Sequence, residues 1–324
     1  MGQPQIPPTP PGTSLAGKTI IITGGNAGLG FEAARQFLIL KASRVIIAVR
    51  SKSKGQEAVS ALRANLEVKK ANPHATIQAF ELDLDDYESG LLFAEKVKTE
   101  VKELDVLLCN GGVNLMDYQK SKSGHERVMQ ALELLPLLQA TAAIRGTPSH
   151  LTIVGSATQT THTLTKKPVI ASGTVFDHFD NQKTYSGVTR YSDSKLTANA
   201  FVRALFRHVP TSDVIVNNLC PGLVATGFDK HLSGWLKPIM FVYRKVAARN
   251  VEEGGRTLVY AATLAGSETH GQFLQHNKID QGASFLDQEA GSNFIEKLWA
   301  EMVGEATKID PKLKKYVYPR QAVI

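Results

Sequence analysis

Tyr191 and Lys195, in the stretch YSDSK, set a phenol and an ammonium four residues apart. On a helix, positions i and i+4 share a face, so both side chains would enter the same cleft. A free phenol has a pKa of about 10 and exchanges protons poorly near neutrality unless a nearby cation stabilises phenolate, and a lysine one turn away is such a cation. The pair is therefore a candidate proton-transfer device. A polar helix surface produces the same spacing by chance, so the pair carries weight only in company.

Glycine supplies the first company. The run KTIIITGG passes into NAGLGFEAARQFL, which puts Gly24, Gly28 and Gly30, with Asn26 and Leu29 between them, at a strand-to-helix turn. Glycine tolerates positive φ and lets backbone N–H groups approach a pyrophosphate, which also gains from the partial positive charge of a helix start. Such a turn is weak evidence alone. Its place after the first strand of a βαβ series is the context that a dinucleotide fingerprint requires.

The elements that must position these residues alternate along the chain. Short β-branched runs predict strands near 18–23, 44–49, 76–82, 105–109, 150–155, 213–219 and 272–275. Amphipathic stretches predict helices near 28–40, 54–70, 86–103, 122–144, 190–208 and 251–265. Strands separated by helix-length segments imply right-handed crossovers and a parallel sheet covered on both faces. The fold class is α/β, a doubly wound parallel sheet (Rossmann fold) in a single domain. The expected organisation is a flexible Pro-rich arm over 1–17, the nucleotide-binding domain over 18–275, and a tail over 276–324 with one helix near 292–304. Two insertions break the rhythm and are expected as substrate loops, over 157–187 and 228–248. The first lacks any periodicity from 159 onward, and long loops in compact domains are often functional. In the second, FDKHLSGWLKPIMFVYRKV, an apolar side of Trp235, Ile239, Phe241 and Val242 fits either a core-packing helix or a substrate lid or membrane-surface contact.

Composition narrows the classes. The chain is 43% apolar, enough for a substantial core, and contains no run of about 18 apolar residues that would predict a membrane span. The opening MGQPQIPPTPPGTS lacks the basic and apolar regions of a secretory leader, and no Asn-x-Ser/Thr acceptor occurs. Cys109 and Cys220 both lie in apolar runs and read as buried thiols, which suits a reducing, cytoplasmic setting. The net charge of +7 comes from bases that mostly alternate with acids, apart from KIDPKLKKYVYPR, so no nucleic-acid partner is expected. The histidines form no H-E-x-x-H or compact Cys/His cluster, so no metal is expected. Ser156 has Val154 and Thr158 where a G-x-S-x-G nucleophile needs glycines.

Taken together, TGGNAGLG over 23–30 and Tyr191-x-x-x-Lys195 resemble the short-chain dehydrogenase/reductase family, and further matches arrive in order across nearly all of 15–275. ELDL places Asp83 at the end of the third strand, where the family's acid contacts adenine. LLCNGGV resembles the family's N-N-A-G, with Cys109 in place of the first asparagine and Asn110, Gly111 and Gly112 following. LTIVGSAT ends its strand at Ser156, the position of the family's catalytic serine. NNLCPGLVATG supplies Pro221, Gly222, Val224 and Thr226, which in the family close over the nicotinamide. Extended relatives such as nucleotide-sugar epimerases space their glycines G-x-x-G-x-x-G and carry a larger C-terminal domain; neither feature is present. The SDSKL helix, the long loop after Ser156 and NVEEGGRTLVYAAT are most similar to retinol-dehydrogenase-like and fungal members, which commonly interconvert apolar carbonyls and alcohols, including in secondary metabolism.

The resemblance implies an oxidoreductase with Ser156 orienting the substrate oxygen, Tyr191 as acid or base, and Lys195 beside it and on the nicotinamide ribose. Where an acid would bind the adenosine ribose of NAD, VIIAVRSKSKG offers Arg50, Ser51 and Lys54. Arg50 can pair with a 2′-phosphate, which favours NADP(H); an arginine solvating a loop is the plainer alternative. One family residue is missing. The asparagine that holds a relay water in the helix after the fourth strand has no counterpart in SGHERVMQALELLPLLQATAAI, 123–144. By comparison with the family this segment is short by roughly nine residues, about two and a half turns. Three readings stand: an artefact or variant of the coding sequence, an enzyme that compensates with water, or an NADP(H)-binding scaffold or redox sensor with impaired catalysis.

Overall fold

The computed structural model describes residues 2–112, 133–170, 172–224 and 248–316. The β-branched runs form strands because both faces of each are buried: in β1 (Thr19–Thr23), Ile20 and Ile22 enter one core and Ile21 the opposite one. The remaining strands are β2 (Arg44–Val49), β3 (Thr76–Glu81), β4 (Val106–Cys109), β5 (Ser149–Val154), β6 (Val214–Cys220), β7 (Phe273–Gln275) and β8 (Lys278–Asp280). They form one eight-stranded sheet in the order β3-β2-β1-β4-β5-β6-β7-β8, parallel except for the β7–β8 hairpin. Chain order reverses between β1 and β4, which opens a crevice at their carboxyl ends.

Helices cover both faces. On one lie α1 (Gly28–Ile39), α2 (Lys52–Ala64) and α3 (Leu66–Ala71), with a later helix, Val251–Val259 (α8 below). The other carries α4 (Tyr87–Glu100), α5 (Leu135–Arg145), α6 (Val175–Asp180), α7 (Gly187–Leu205) and, after α8, α9 (Glu289–Ile309). The expected doubly wound α/β architecture is therefore present.

Three elements differ from the expected ones for identifiable reasons. The single helix expected over 54–70 is two, because Asn65 leaves helical geometry and its side chain accepts from the Glu67 and Val68 amides at 3.1 Å, capping α3. The segment 159–187 is partly helical. Thr174 caps α6 through the Asp177 amide at 2.8 Å, and the Glu301 carboxylate of α9 accepts from Val175 and Phe176. The tail is longer in structure than one helix: it begins with β8, and α9 packs Trp299, 4% exposed, against Phe201 of α7 and the His208 ring. Trp299→Ala should accordingly destabilise the whole domain by about 3–5 kcal/mol in urea unfolding, as for a large core side chain; a loss below 1 kcal/mol would show α9 to be a detachable appendage.

Where the sequence suggested a flexible arm, residues 3, 4 and 6 are hydrogen-bonded to the fold, and Ile6 is 2% exposed. Of the helix expected at 122–144, residues 133–145 are described and contain α5. Thr226 and the insertion 228–246 lie outside the described residues.

Candidate active site

A cavity of about 350 Å³ occupies the crevice, and Gly24, Asn26, Arg50, Lys54, Asp83 and Lys195 all line it. Gly28, Leu29, Gly30, Asn110, Ser156, Tyr191 and Val224 are not among its lining residues, and Thr226 lies outside the described residues. Gly28, Leu29 and Gly30 form the first turn of α1. Gly24 has φ of +65°, and a Cβ on it would lie 2.9 Å from the Gly111 Cα; a Cβ on Gly30 would come within 2.5 Å of the Gly24 oxygen and the Asn110 amide nitrogen. Asn110 explains this closeness: its Nδ2 donates to the Thr23 and Gly24 carbonyls at 3.0 and 3.3 Å, while Gly111 N–H donates to Thr23 Oγ1 at 2.8 Å. The turn is thus stitched to the end of β4.

The start of α1 has neither a side-chain cap nor an acidic residue in its first turn, so its leading N–H groups keep their positive end toward the cleft. A tight glycine cradle, an uncapped helix start and cations on the rim fit a dinucleotide phosphate. Arg50 is largely exposed at the rim and is ion-paired with Asp85 at 3.7 Å, with Asp83 also lining the cavity.

Lys195 sits one helical turn after Tyr191, its Nζ 5.5 Å from the Tyr191 ring centre. The ammonium donates to the Val154 carbonyl at 2.8 Å, two residues before Ser156. Burial pushes its pKa down to about 8. Ser156 lies two residues past the end of β5 and caps the short 3-10 turn that follows, Ala157–Thr161. Its oxygen accepts from the Thr158 amide at 3.2 Å and from the Thr158 hydroxyl at 3.0 Å, which leaves the serine proton to be donated elsewhere.

The middle of YSDSK does work that its spacing did not reveal. Asp193, 5% exposed, accepts from the Thr163 amide and hydroxyl at 2.6 and 2.9 Å. Ser192 bonds Thr161 at 3.0 Å, and Asn199 donates to the buried Gln159 at 2.7 Å. The helix bearing Tyr191 and Lys195 therefore also holds the segment that follows Ser156. Cys109, read in the sequence only as a replacement for the family's asparagine, also lines the cavity, and sequence reading missed Phe201 and Met302 among the lining residues. Burial pushes the Cys109 thiol up to about 12, so it stays neutral. Met302 arrives from α9, which only tertiary packing brings to the cleft; an adjoining apolar cavity of about 180 Å³ shares Cys109 and Met302. Among the described residues no group of three His, Cys, Asp or Glu side chains is placed to hold a metal, and no helix is long and apolar enough to cross a membrane.

Comparison with known proteins follows the geometry. The family model for short chain dehydrogenases matches residues 18–145. The chain is 57% identical to the short chain dehydrogenase sor7 of Hypocrea jecorina (strain QM6a), over 88% of this chain and 82% of that one. It is 37% identical to the short chain dehydrogenase macD of Penicillium terrestre, over 94% and 95%. Two solved structures share the fold. One is the Pseudomonas aeruginosa RhlG/NADP active-site complex, with TM-score 0.58, 19% identity and coverage of 82% of this chain and 97% of that one. The other is L-sorbose reductase from Gluconobacter frateurii complexed with NADPH and L-sorbose, with TM-score 0.58, 18% identity and coverage of 81% and 96%. Similarity to sor7 across most of both chains, joined to the glycine turn and the Tyr191–Lys195 helix, places this chain in the short-chain dehydrogenase/reductase family of oxidoreductases.

Proposed function

We propose that the protein is a cytoplasmic NADP(H)-dependent oxidoreductase that interconverts an apolar ketone or aldehyde and its alcohol, in a fungal secondary-metabolite pathway. The observation that carries the reading is one cleft lined by Gly24, Asn26, Arg50, Lys54 and Lys195 together. The fungal relatives named as short chain dehydrogenases, and the NADP and NADPH of the two solved neighbours, point the same way.

When bound, the nicotinamide supplies or accepts the hydride. Gly24, Asn26, Gly28, Leu29 and Gly30 would hold the phosphates, with Asn110 keeping the turn closed; Asp83 would face adenine, and Arg50 and Lys54 a 2′-phosphate. Val224 and Thr226 would stand on the nicotinamide side. Ser156 donates its free proton to the substrate oxygen and stabilises charge there as the transition state forms. Tyr191 gives a proton to that oxygen in reduction and takes it back in oxidation. Lys195 lowers the cost of tyrosinate and would reach the ribose. Asp193 keeps Ser156 and Tyr191 in mutual register through Thr163.

The cofactor assignment predicts that Arg50→Ala weakens NADPH binding about tenfold, the loss of one charge-assisted contact, and leaves NADH binding unchanged. Equal loss for both nucleotides would rule out a 2′-phosphate role for Arg50.

A second reading has its own observation. No asparagine occurs between 115 and 180, the Lys195 ammonium is bonded to Val154, and the Met302 thioether lies in the same cleft. A chain without a relay would bind NADP(H) as a scaffold or redox sensor. Nucleotide titration followed by a panel of carbonyl substrates decides: NADPH binding with hydride transfer to at least one apolar carbonyl supports the enzyme, binding without transfer to any supports the scaffold, and no binding of either nucleotide sinks both.

A further inference from the structure

We propose that the N-terminal arm is a strap that positions the Pro221–Val224 segment beside the cofactor cradle, with Gln3 and Arg249 as its two positioning residues. The inference rests on the nucleotide-binding reading above. The Gln3 side chain binds both backbone groups of Leu223: Nε2 donates to the Leu223 oxygen at 2.8 Å, and Oε1 accepts from the Leu223 amide at 3.0 Å. This reproduces the pairing of a β-ladder with a side-chain amide, across 220 positions of sequence. Gly222 permits the approach. It has φ of +81°, and a Cβ there would lie 2.2 Å from Gln3 Oε1.

Arg249, 5% exposed, ties the strap from below. Its Nη1 donates to the Pro221 carbonyl at 3.2 Å and its Nη2 to the Pro4 carbonyl at 2.9 Å; Nη2 also meets His276 Nδ1 at 3.0 Å, and the Arg249 amide donates to Leu223 at 3.0 Å. Both backbone groups of Ile6 are met by α8, the amide by Glu253 Oε1 at 3.2 Å and the carbonyl by Arg256 Nη1 at 2.9 Å. A segment with its side-chain and main-chain groups matched at each of these positions is built in, not draped over the surface.

The held segment reaches the site at Val224. Val224 packs by the first turn of α1: a Cβ on Gly254 would touch Leu29 Cδ2 at 2.6 Å and Val224 Cγ2 at 2.9 Å. Cys220, at the end of β6 immediately before Pro221, accepts from the Gly222 amide at 3.3 Å, which ties the held segment to the sheet. Loosening the strap would therefore free a wall of the cradle without touching a group that contacts the reacting atoms.

The test uses the 324-residue chain with residues 2–17 intact, comparing wild type with Gln3→Ala. In nucleotide-free protein, hydrogen exchange in the peptide 219–224 should rise about tenfold as the Leu223 amide loses its acceptor, while the β-strands exchange as before. With NADPH as probe, the dissociation constant should rise about three- to tenfold, the loss of one or two neutral hydrogen bonds, with the thermal midpoint close to that of wild type. Unchanged exchange at 219–224 overturns the strap itself. Faster exchange with unchanged NADPH affinity reduces the arm to a structural contact and overturns its positioning role. If wild type binds neither NADPH nor NADH, the parent reading fails, and the exchange result shows separately whether the arm holds the segment.

Discussion

Tyr191→Phe lowers carbonyl turnover by about 10²–10⁴-fold, the usual contribution of a positioned acid–base group, and leaves NADPH binding close to wild type. The substitution removes one oxygen and keeps the ring over which the Lys195 ammonium lies at 5.5 Å, so the helix face and the cleft wall stay as they were. The loss should fall on kcat and on kcat/KM alike, because the proton is needed only as charge develops on the substrate oxygen. Single-turnover absorbance of NADPH with the best substrate from the carbonyl panel measures it. Retained turnover in the variant would remove Tyr191 from the acid–base role and return YSDSK to a polar helix surface.

Lys195→Met has an effect of comparable size on turnover and a second signature in stability. Burial depresses the Lys195 ammonium to about 8, from an ordinary value of 10.5. In the unfolded chain the amine holds its proton up to 10.5; in the folded apoprotein it gives it up from about 8. Between those values the unfolded state binds more protons, so stability rises with pH across that window. Below about pH 8 both states are charged, and the buried charge then weighs on the fold by a constant amount. The Lys195→Met variant should lose the rise between pH 8 and 10.5 in urea unfolding of apoprotein, although it also leaves the Val154 carbonyl without its donor. A pH profile identical to wild type would show that the slope originates elsewhere.

How much of this was legible in the sequence depends on how far each interaction reaches along the chain. The sheet could be read because burial on both faces imposes β-branched runs, and the alternation of Ile20, Ile21 and Ile22 between two cores is a purely local pattern. The glycine turn was equally local. Lys195 and Gly24 were found from opposite halves of the sequence because a parallel sheet delivers both to its carboxyl end. What escaped depends on distant partners: the α6 amides are met by Glu301, about 125 residues on, and a run without periodicity gives no hint of that carboxylate. Asp193 was visible as a letter of YSDSK but not as a ligand of Thr163. Met302 belongs to a tail helix whose amphipathic pattern shows that it packs, not where. Asn65 was a missed local signal, since an asparagine inside a helical run is a recognised start as well as an interruption.

The bonds of residues 3–6 have a consequence for how the chain folds. Arg256 and Ile6 are 250 positions apart, so their contact closes a loop that spans most of the domain and has no partner to form with until the sheet between them has assembled. Until then the segment must not pair with the strands it will later lie beside. Its prolines, Pro4, Pro7, Pro8, Pro10 and Pro11, lack the N–H that a sheet edge would capture. The composition that reads as a loose arm is thus what keeps this segment unpaired until its own seat exists.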